Sequence, residues 1–195
     1  MTDSIARIGR KGRLRILGLV FVFLAFSLFV LGGAYAAPAQ AVSYSAEEIA
    51  FVQLLNEYRA SNGLGPLLVS DLLSESADRH NSDMAKYGFF SHYSESSDWF
   101  SASAAPWDRM AACGYGFNTN MGENIAAGYA TAATVIAGWK TSSGHNATML
   151  GADYKVIGVS LVYASGTKYS FFWTTDFGGQ VDATAHSLGA APATT

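Results

Sequence analysis

The sequence predicts an α+β fold in which helices come first and an antiparallel sheet comes last. Helical periodicity dominates residues 45–141, and two runs rich in β-branched and aromatic residues follow over 156–163 and 169–177. A glycine-containing turn separates these two runs, which predicts a β-hairpin. Because the chain shows no β-α-β alternation, we expect helices packed on an antiparallel sheet rather than a parallel α/β sheet.

Three amphipathic helices and one short helix are predicted, over 45–61, 70–87, 131–140 and 107–113. The first begins at a capping box formed by Ser45 and Glu48, and the second ends at Gly88. His80 lies on the apolar stripe of the second helix, which indicates a buried core histidine rather than a ligand. The remaining residues from Tyr93 to Asn120 are predicted to form a loop.

Residues 1–41 have the pattern of a secretory leader rather than of a folded segment. Five basic residues precede an apolar run from Ile16 to Leu31, and A-x-A sequences follow at 34–36 and 39–41. This order predicts a signal peptide, with cleavage after Ala41 preferred to cleavage after Ala36. Because the apolar run is longer than usual, an uncleaved membrane anchor is the alternative. We therefore expect a secreted or extracellular protein, tethered to the membrane only if the leader is retained.

The predicted mature part is acidic. The chain carries 12 basic and 15 acidic residues, of which 5 basic and 1 acidic residue fall within 1–41. The other 154 residues therefore hold 7 basic and 14 acidic residues, a net charge of −7. Such a surface repels phosphate backbones and anionic lipid headgroups, so neither nucleic acid nor a bilayer surface is an expected partner. This length suffices for one domain, which we place at 45–178.

The end of the chain and its single cysteine carry no candidate site. Residues 179–195 are rich in small residues without hydrophobic periodicity, and we predict a flexible tail that includes His186. Cys113 is the only cysteine, so the domain must be stable without an internal disulfide. We interpret Cys113 as a buried, unreactive thiol.

Three short polar motifs carry the candidate site residues: Phe89-Phe90-Ser91-His92, Gly122-Glu123-Asn124-Ile125-Ala126 and Gly144-His145-Asn146. Each motif places an ionisable side chain beside a glycine or serine, where the chain is expected to turn. His145 is expected just past the end of a helix, as His92 is. Two imidazoles and a carboxylate could bind a divalent cation such as zinc, or act as general acid and base. The spacing of the three residues does not distinguish metal binding from acid–base catalysis, because their separations along the chain match no local metal motif.

Other roles stay open for the same residues. Glu123 could cap the turn at Asn124, and His145 could neutralise the negative end of a helix dipole. Ser142 and Ser143 precede His145, but no G-x-S-x-G elbow is present, and serines at helix ends commonly form caps and turns. Glycoside hydrolysis would require a second carboxylate facing Glu123.

In order and surroundings, the three motifs resemble those of the CAP superfamily, which comprises cysteine-rich secretory, antigen 5 and pathogenesis-related 1 proteins and is also called the SCP domain. The similarity is closest to the bacterial secreted branch and covers residues 46–178. Four further segments contribute: 55–59, 81–85, 157–159 and 173–178. Seven segments in the same order make the resemblance specific.

The resemblance implies an α-β-α sandwich, with a small antiparallel sheet between helical layers. It also implies a cavity of two histidines and two glutamates, which binds a divalent cation in several members. By motif, His92, Glu123 and His145 match three of these positions. The second glutamate usually follows the helix tryptophan, but Trp139 is followed here by Lys140-Thr141-Ser142-Ser143. One anionic ligand is therefore replaced by serine, and a site of two histidines and one glutamate remains.

Our leading hypothesis is an extracellular binding or interaction module with a ligand cavity formed by His92, Glu123, His145, Ser142 and Ser143. The two histidines and Glu123 are the predicted metal ligands, with zinc preferred. The partner would be an extracellular protein, a cell-envelope component or a lipid. One alternative is a metal-assisted hydrolase of peptide or cell-envelope substrates, in which Glu123 moves the proton. The other is a sterol or fatty-acid carrier that uses the aromatic-rich segment 93–117.

Overall fold

The structure is a computed structural model that describes residues 42–188 of the 195-residue chain. The predicted leader, with its apolar run at 16–31, lies outside the described residues, as does the end of the predicted tail. Within residues 42–188, no helix is long and apolar enough to cross a membrane.

The described residues form five helices and four strands. The helices are α1 (Ala46–Ser61), α2 (Asp71–Tyr87), α3 (Pro106–Ala112), α4 (Ala132–Thr141) and α5 (Ser143–Met149). The strands are β1 (Leu68–Val69), β2 (Met121–Ala127), β3 (Val156–Tyr163) and β4 (Phe171–Gly178).

The predicted helices are confirmed, together with the residues that begin and end them. Ser45 and Glu48 form the capping box of α1, and the Ser70 side chain caps α2. Gly88 ends α2 at a φ of 74°, a left-handed backbone that glycine adopts without steric cost. Thr131 caps α4 through the amide of Thr134.

The four strands form one mixed sheet in the order β1-β3-β4-β2. The predicted hairpin is confirmed as β3 and β4, and β2 pairs antiparallel with the other side of β4. The sheet is not wholly antiparallel, because β1 runs parallel to β3 at one edge. The sequence pattern does not predict β1, since two residues are too few to show a period.

Helices cover both faces of the sheet, as an α-β-α sandwich requires. On one face, α1 and α4 pack in a core cluster that contains Phe51, Trp139 and Trp173. On the other face, α2 and α3 contribute Leu73 and Met110 to a separate cluster. Alternate residues of each strand point to opposite faces, so the sheet supplies side chains to both cores.

Two local expectations are wrong. The motif that begins at Gly122 is not a turn, because residues 121–127 pair along their full length with β4 and form β2. His145 lies past the end of α4, as expected, but it lies within a further helix, α5, so the expected break at 142–144 is wrong. The reason is that Ser142 ends α4 and also begins α5, so the break between the helices is a single residue.

Part of the predicted flexible tail is hydrogen-bonded to the domain. Val69 and His186 exchange two backbone hydrogen bonds of 2.8 Å each, which form an isolated antiparallel bridge. The amide of Asp71 donates to the Thr184 hydroxyl at 3.1 Å. These bonds attach this part of the chain to β1 and to the start of α2.

Candidate functional site

The predicted site residues meet at β2, an edge strand of the described sheet. Adjacent residues of a strand point to opposite faces. Glu123 accordingly contacts Arg109 of α3 on one face, and Asn124 contacts the backbone of His145 in α5 on the other. His92 follows α2, so each helical layer supplies one of the two histidines.

These residues border an open cavity of about 260 Å³, which we call the edge cavity. Its lining consists of His92, Glu123, Asn124, Ser142, Gly144, His145 and Thr148. Four of the five predicted cavity residues are therefore brought together. The fifth, Ser143, is exposed at the start of α5 and is not part of the lining.

Glu123 connects His92 to a buried arginine. Nδ1 of His92 lies 2.7 Å from Oε1 of Glu123, and the guanidinium of Arg109 donates to Oε2. Arg109 also donates to the carbonyl oxygen of His92 at 2.8 Å and to that of Ala104 at 3.1 Å. The side chain of Arg109 is 0% exposed and that of Glu123 is 1% exposed, whereas that of His92 is 46% exposed. Arg109 thus fixes both the carboxylate and the backbone on which His92 depends.

The charge on Glu123 determines the tautomer of His92. Burial alone would raise the pKa of Glu123, but the hydrogen bond from His92 and the charge of Arg109 hold it below its usual value. An ionised carboxylate can only accept hydrogen bonds, so Nδ1 of His92 carries the proton. In the neutral ring, the lone pair is then on Nε2.

His145 is held in a comparable way by neutral groups. Its Nδ1 lies 2.8 Å from Oγ of Ser142, and its ring stacks on Trp139 with centroids 5.8 Å apart. The side-chain amide of Asn124 donates to the His145 carbonyl oxygen at 3.0 Å. Burial, and secondarily the charge of His92, lower the pKa of His145, which favours its neutral ring. Among residues 42–188, neither histidine has a hydrogen-bond partner at Nε2.

A second carboxyl group lies behind Glu123. Asp176 is the cross-strand partner of Glu123 in β4 and lies beside Ser76 of α2. Its two oxygens are buried and make no hydrogen bond of ordinary geometry with any residue in the described range. Burial, and then the charge of Glu123, raise the pKa of Asp176 well above its usual value. The structure therefore favours one ionised and one neutral carboxyl group, with the charge on Glu123.

The remaining titratable groups near the site behave as the sequence predicts. His80 is fully buried, and its Nε2 lies 2.9 Å from the carbonyl oxygen of Ser91, the residue before His92. Burial lowers the pKa of His80 to about 4, so the ring supports this segment without adding charge at neutral pH. Cys113 is also buried, and burial raises the pKa of its thiol to about 11.

We expect Asp176→Asn to raise the thermal midpoint at pH 8, with a gain that shrinks towards pH 4. Because the folded-state pKa of Asp176 is raised, the folded protein keeps a proton that the unfolded chain loses above about pH 3.9. The contribution of this carboxyl group to stability therefore falls as the pH rises through that value. Asparagine does not ionise, so it removes this pH-dependent loss of stability. A gain of about 1 kcal/mol in the free energy of unfolding corresponds to a rise of roughly 2–4 °C in the thermal midpoint at this chain length.

Asp153→Asn is the matched control, because Asp153 is exposed and its carboxylate only accepts from Asn120 at 2.7 Å. This change should leave the midpoint unaltered between pH 5 and 8. A lower midpoint for Asp176→Asn at pH 8 would show that Asp176 is ionised and stabilising in the fold.

The engagement of Glu123 bears on the predicted metal site. Both of its oxygens are occupied, and the guanidinium of Arg109 places a positive charge beside them. Within residues 42–188, no three His, Cys, Asp or Glu side chains are arranged to hold a metal ion. The two histidines do suit such an ion, since ligating histidines usually have one ring nitrogen hydrogen-bonded and the other free. In this arrangement Glu123 orients the His92 ring.

Four residues of the site were not predicted from the sequence. Asn124 and Thr148 line the edge cavity; Asn124 belongs to the second motif, and Thr148 lies two residues after the third. Asp176 also belongs to a matched segment, but its pairing with Glu123 follows from the register of β2 on β4, which the sequence does not show. Arg109 gave no signal, because a single arginine in a short helix forms no pattern.

Known proteins are similar to this chain in sequence and in fold. The family model described as the cysteine-rich secretory protein family, CAP, matches residues 52–177. The chain is 36% identical over 138 residues to the Uncharacterized protein YkwD of Bacillus subtilis (strain 168). That match covers 71% of this chain and 49% of YkwD, so the chain spans about half the length of this relative.

Two solved structures are similar in fold. An extracellular protein containing a SCP domain from Bacillus anthracis str. Ames has a TM-score of 0.58 and 26% identity, over 69% of this chain and 40% of that chain. An outer surface protein from Borrelia burgdorferi has a TM-score of 0.59, over 73% of this chain and 100% of that chain. Its identity is 17%, so it shows the fold alone. With a family match over more than half of its length, the chain belongs to the cysteine-rich secretory protein (CAP) family.

Proposed function

We propose that the chain is an extracellular binding module whose edge cavity takes a divalent cation through His92 and His145. One observation carries this proposal. Both imidazoles border the same cavity, each has Nδ1 held by an oxygen atom, and each keeps Nε2 without a partner in the described part of the chain. Bound there, a cation would offer open coordination positions to an anionic or carbonyl group of a partner.

An extracellular location is supported by the leader pattern. Residues 1–41 combine a basic head, an apolar run and A-x-A sequences. The Bacillus anthracis protein of similar fold, at 26% identity, is described as extracellular. The location of this chain is therefore part of the proposal.

Binding is favoured over hydrolysis by the state of Glu123. A general base must be free to accept a proton and needs a pKa near the working pH. Both oxygens of Glu123 already accept hydrogen bonds, and its pKa is held below the usual value. These contacts support an orienting role for Glu123 over a proton-transfer role.

Cavity volume also bears on the carrier alternative. A pocket of mixed polarity and about 250 Å³ lies between the end of α2 and the β3–β4 turn, where Phe89, Phe90 and Phe172 line it together with Thr167 and Lys168. Pockets for drug-sized ligands commonly span about 300–1,000 Å³. This pocket is small for a sterol, whereas the edge cavity is adequate for an ion with a few waters or one small group.

The proposal predicts that the purified protein binds Zn²⁺ and that the two histidines carry the affinity. In calorimetric titration, His92→Ala and His145→Ala should each weaken binding by more than about tenfold, since each removes a ligand. Glu123→Gln should weaken binding by about tenfold, the usual effect of changing a group that orients a ligand. Binding should also weaken at acidic pH, because protons compete for the imidazole nitrogens.

The control is His186→Ala, which removes a histidine that lies beside Asp71 and is absent from the cavity lining. This variant should bind Zn²⁺ as the parent does. The proposal fails if the parent does not bind Zn²⁺, or if the His92 and His145 variants bind as tightly as the His186 variant.

A further inference from the structure

The segment between α2 and α3 is irregular but firmly held. At its base, the amide of Ser94 donates to the Ala104 carbonyl at 3.0 Å, and the amide of Ser103 donates to the Ser94 carbonyl at 2.6 Å. Further along, the amide of Asp98 donates to Oδ1 of Asp83 in α2 at 3.2 Å. A loop whose ends meet and which is fixed along its length is an Ω-loop, a class that is frequently functional.

The Asp98 side chain provides the second attachment of this loop. Nζ of Lys86 and the hydroxyl of Tyr87 each donate to the Asp98 carboxylate at 2.5 Å. Both donors belong to the last turn of α2, so three bonds place Asp98 against this helix. The residue that follows, Trp99, is therefore presented from a fixed position.

Trp99 is exposed although its surroundings hold it in place. Its side chain is 45% exposed, its amide donates to Oγ of Ser97 at 3.0 Å, and the guanidinium of Arg79 lies 5.9 Å from the ring centroid. Indole has a large apolar face and a single polar edge, so aromatic residues of this kind often bind ligands that are apolar on one side and hydrated on the other. Leaving such a face in water is unfavourable by itself.

A depression of about 340 Å³ lies beside the Trp99 ring. Its polar lining consists of Ser101, Ser103 and Asp108, and the other lining residues are Trp99, Phe100 and three alanines. Oδ2 of Asp108 accepts from the Ala105 amide at 3.0 Å, while Oδ1 has no partner among residues 42–188. Ser103 has a φ of 64°, a left-handed conformation that is uncommon outside glycine and that occurs often at ligand sites.

We propose that this depression binds a neutral glycan, with one sugar ring stacked on Trp99 and its hydroxyl groups bonded to Ser101, Ser103 and Asp108. A pyranose ring has an apolar C–H face and a rim of hydroxyl groups, which match the indole face and the hydroxyl and carboxylate oxygens around it. The net charge of −7 over the predicted mature part disfavours an anionic ligand. A lipid chain is disfavoured, because the oxygens of Ser101, Ser103 and Asp108 would lose water without gaining a partner.

The test is titration of the purified full-length protein with three neutral oligosaccharides: chitotetraose, cellotetraose and mannotetraose. At least one should bind at millimolar concentration. Trp99→Ala should weaken that binding by about tenfold or more, the usual effect of losing one aromatic stacking surface. Trp99→Phe keeps an aromatic face and should bind within a few-fold of the parent.

Trp107→Ala is the matched control, because Trp107 is 54% exposed but does not line the depression. It should bind as the parent does. The proposal is overturned if none of the three oligosaccharides binds, or if the Trp99 and Trp107 variants lose binding equally. It is also overturned if a neutral proline hexapeptide binds in a Trp99-dependent way and the oligosaccharides do not, which would assign the depression to a protein partner.

Discussion

Replacing Arg109 with methionine is expected to lower the free energy of unfolding by about 3–5 kcal/mol at pH 7. Methionine keeps much of the side-chain length but removes the guanidinium. Glu123 would then stay buried with an unpaired charge, the carbonyl oxygen of His92 would lose the Arg109 donor, and that of Ala104 would keep only the Ser94 amide. Urea denaturation followed by circular dichroism measures this loss.

The loss of stability should depend on pH, and the ionisation of Glu123 determines the direction of that dependence. In the parent, the pKa of Glu123 is lowered, so its charge stabilises the fold above about pH 4.3 and this contribution is lost as the pH falls through the folded-state pKa. Without Arg109, burial dominates and raises the pKa, so stability falls as the pH rises through about 4.3. The difference between parent and variant should therefore be largest at pH 7 and smaller at pH 4.

Arg79→Met is the control for Arg109→Met. Arg79 is 31% exposed and pairs with Glu75 on the same helix, and such pairs contribute less than about 1 kcal/mol. The double variant Arg109→Met with Glu123→Gln removes the unpaired charge and should recover part of the loss. Equal losses in the two arginine variants, or a loss that is the same at pH 4 and pH 7, would contradict the pairing of Arg109 with an ionised Glu123.

Gly158→Ala should destabilise the protein by about 3 kcal/mol or prevent folding. Helix α2 crosses β3 so closely here that a Cβ atom would overlap the carbonyl carbon of Leu73 and the amide nitrogen of Ser74. These are backbone atoms of a helix, so no side-chain rotation relieves the overlap. The helix would have to move off the sheet, and a thermal melt would report the lost packing.

Gly116→Ala is the matched control for this substitution, because a Cβ atom there would have no other atom within 4 Å. Its effect should stay within about 0.5 kcal/mol. If Gly158→Ala melts at the same temperature as Gly116→Ala, the close approach of α2 to β3 contributes little to stability.

Elements with local signals were predictable, and those that depend on distant residues were not. The capping box at Ser45 and the left-handed Gly88 are encoded within a few residues, and both are confirmed. β2 has the opposite character: Gly122, Glu123 and Asn124 have low strand propensity, and they form a strand because β4 offers a partner more than forty residues later. Such pairing depends on the fold as a whole.

The same distinction applies to the site. The motifs that contain His92, Glu123 and His145 could be recognised in the sequence by their order along the chain. In the structure, all three residues line one cavity. The partners that determine their chemistry could not be found in this way. Arg109 and Asp176 reach Glu123 through the packing of α3 and the register of β4, and neither contact leaves a pattern in the chain.

The position of the edge cavity between two separate hydrophobic clusters has a mechanical consequence. His92 belongs to the layer of α2 and His145 to the layer of α4 and α5, and these layers pack in different clusters. A small slide of one layer along the sheet would change the separation of the two imidazoles without unfolding either layer. A ligand that contacts both imidazoles would favour one relative position of the two layers. Because such coupling is reciprocal, the relative position of the layers would in turn determine the affinity for the ligand. Substitutions deep in either cluster would then alter binding at the surface.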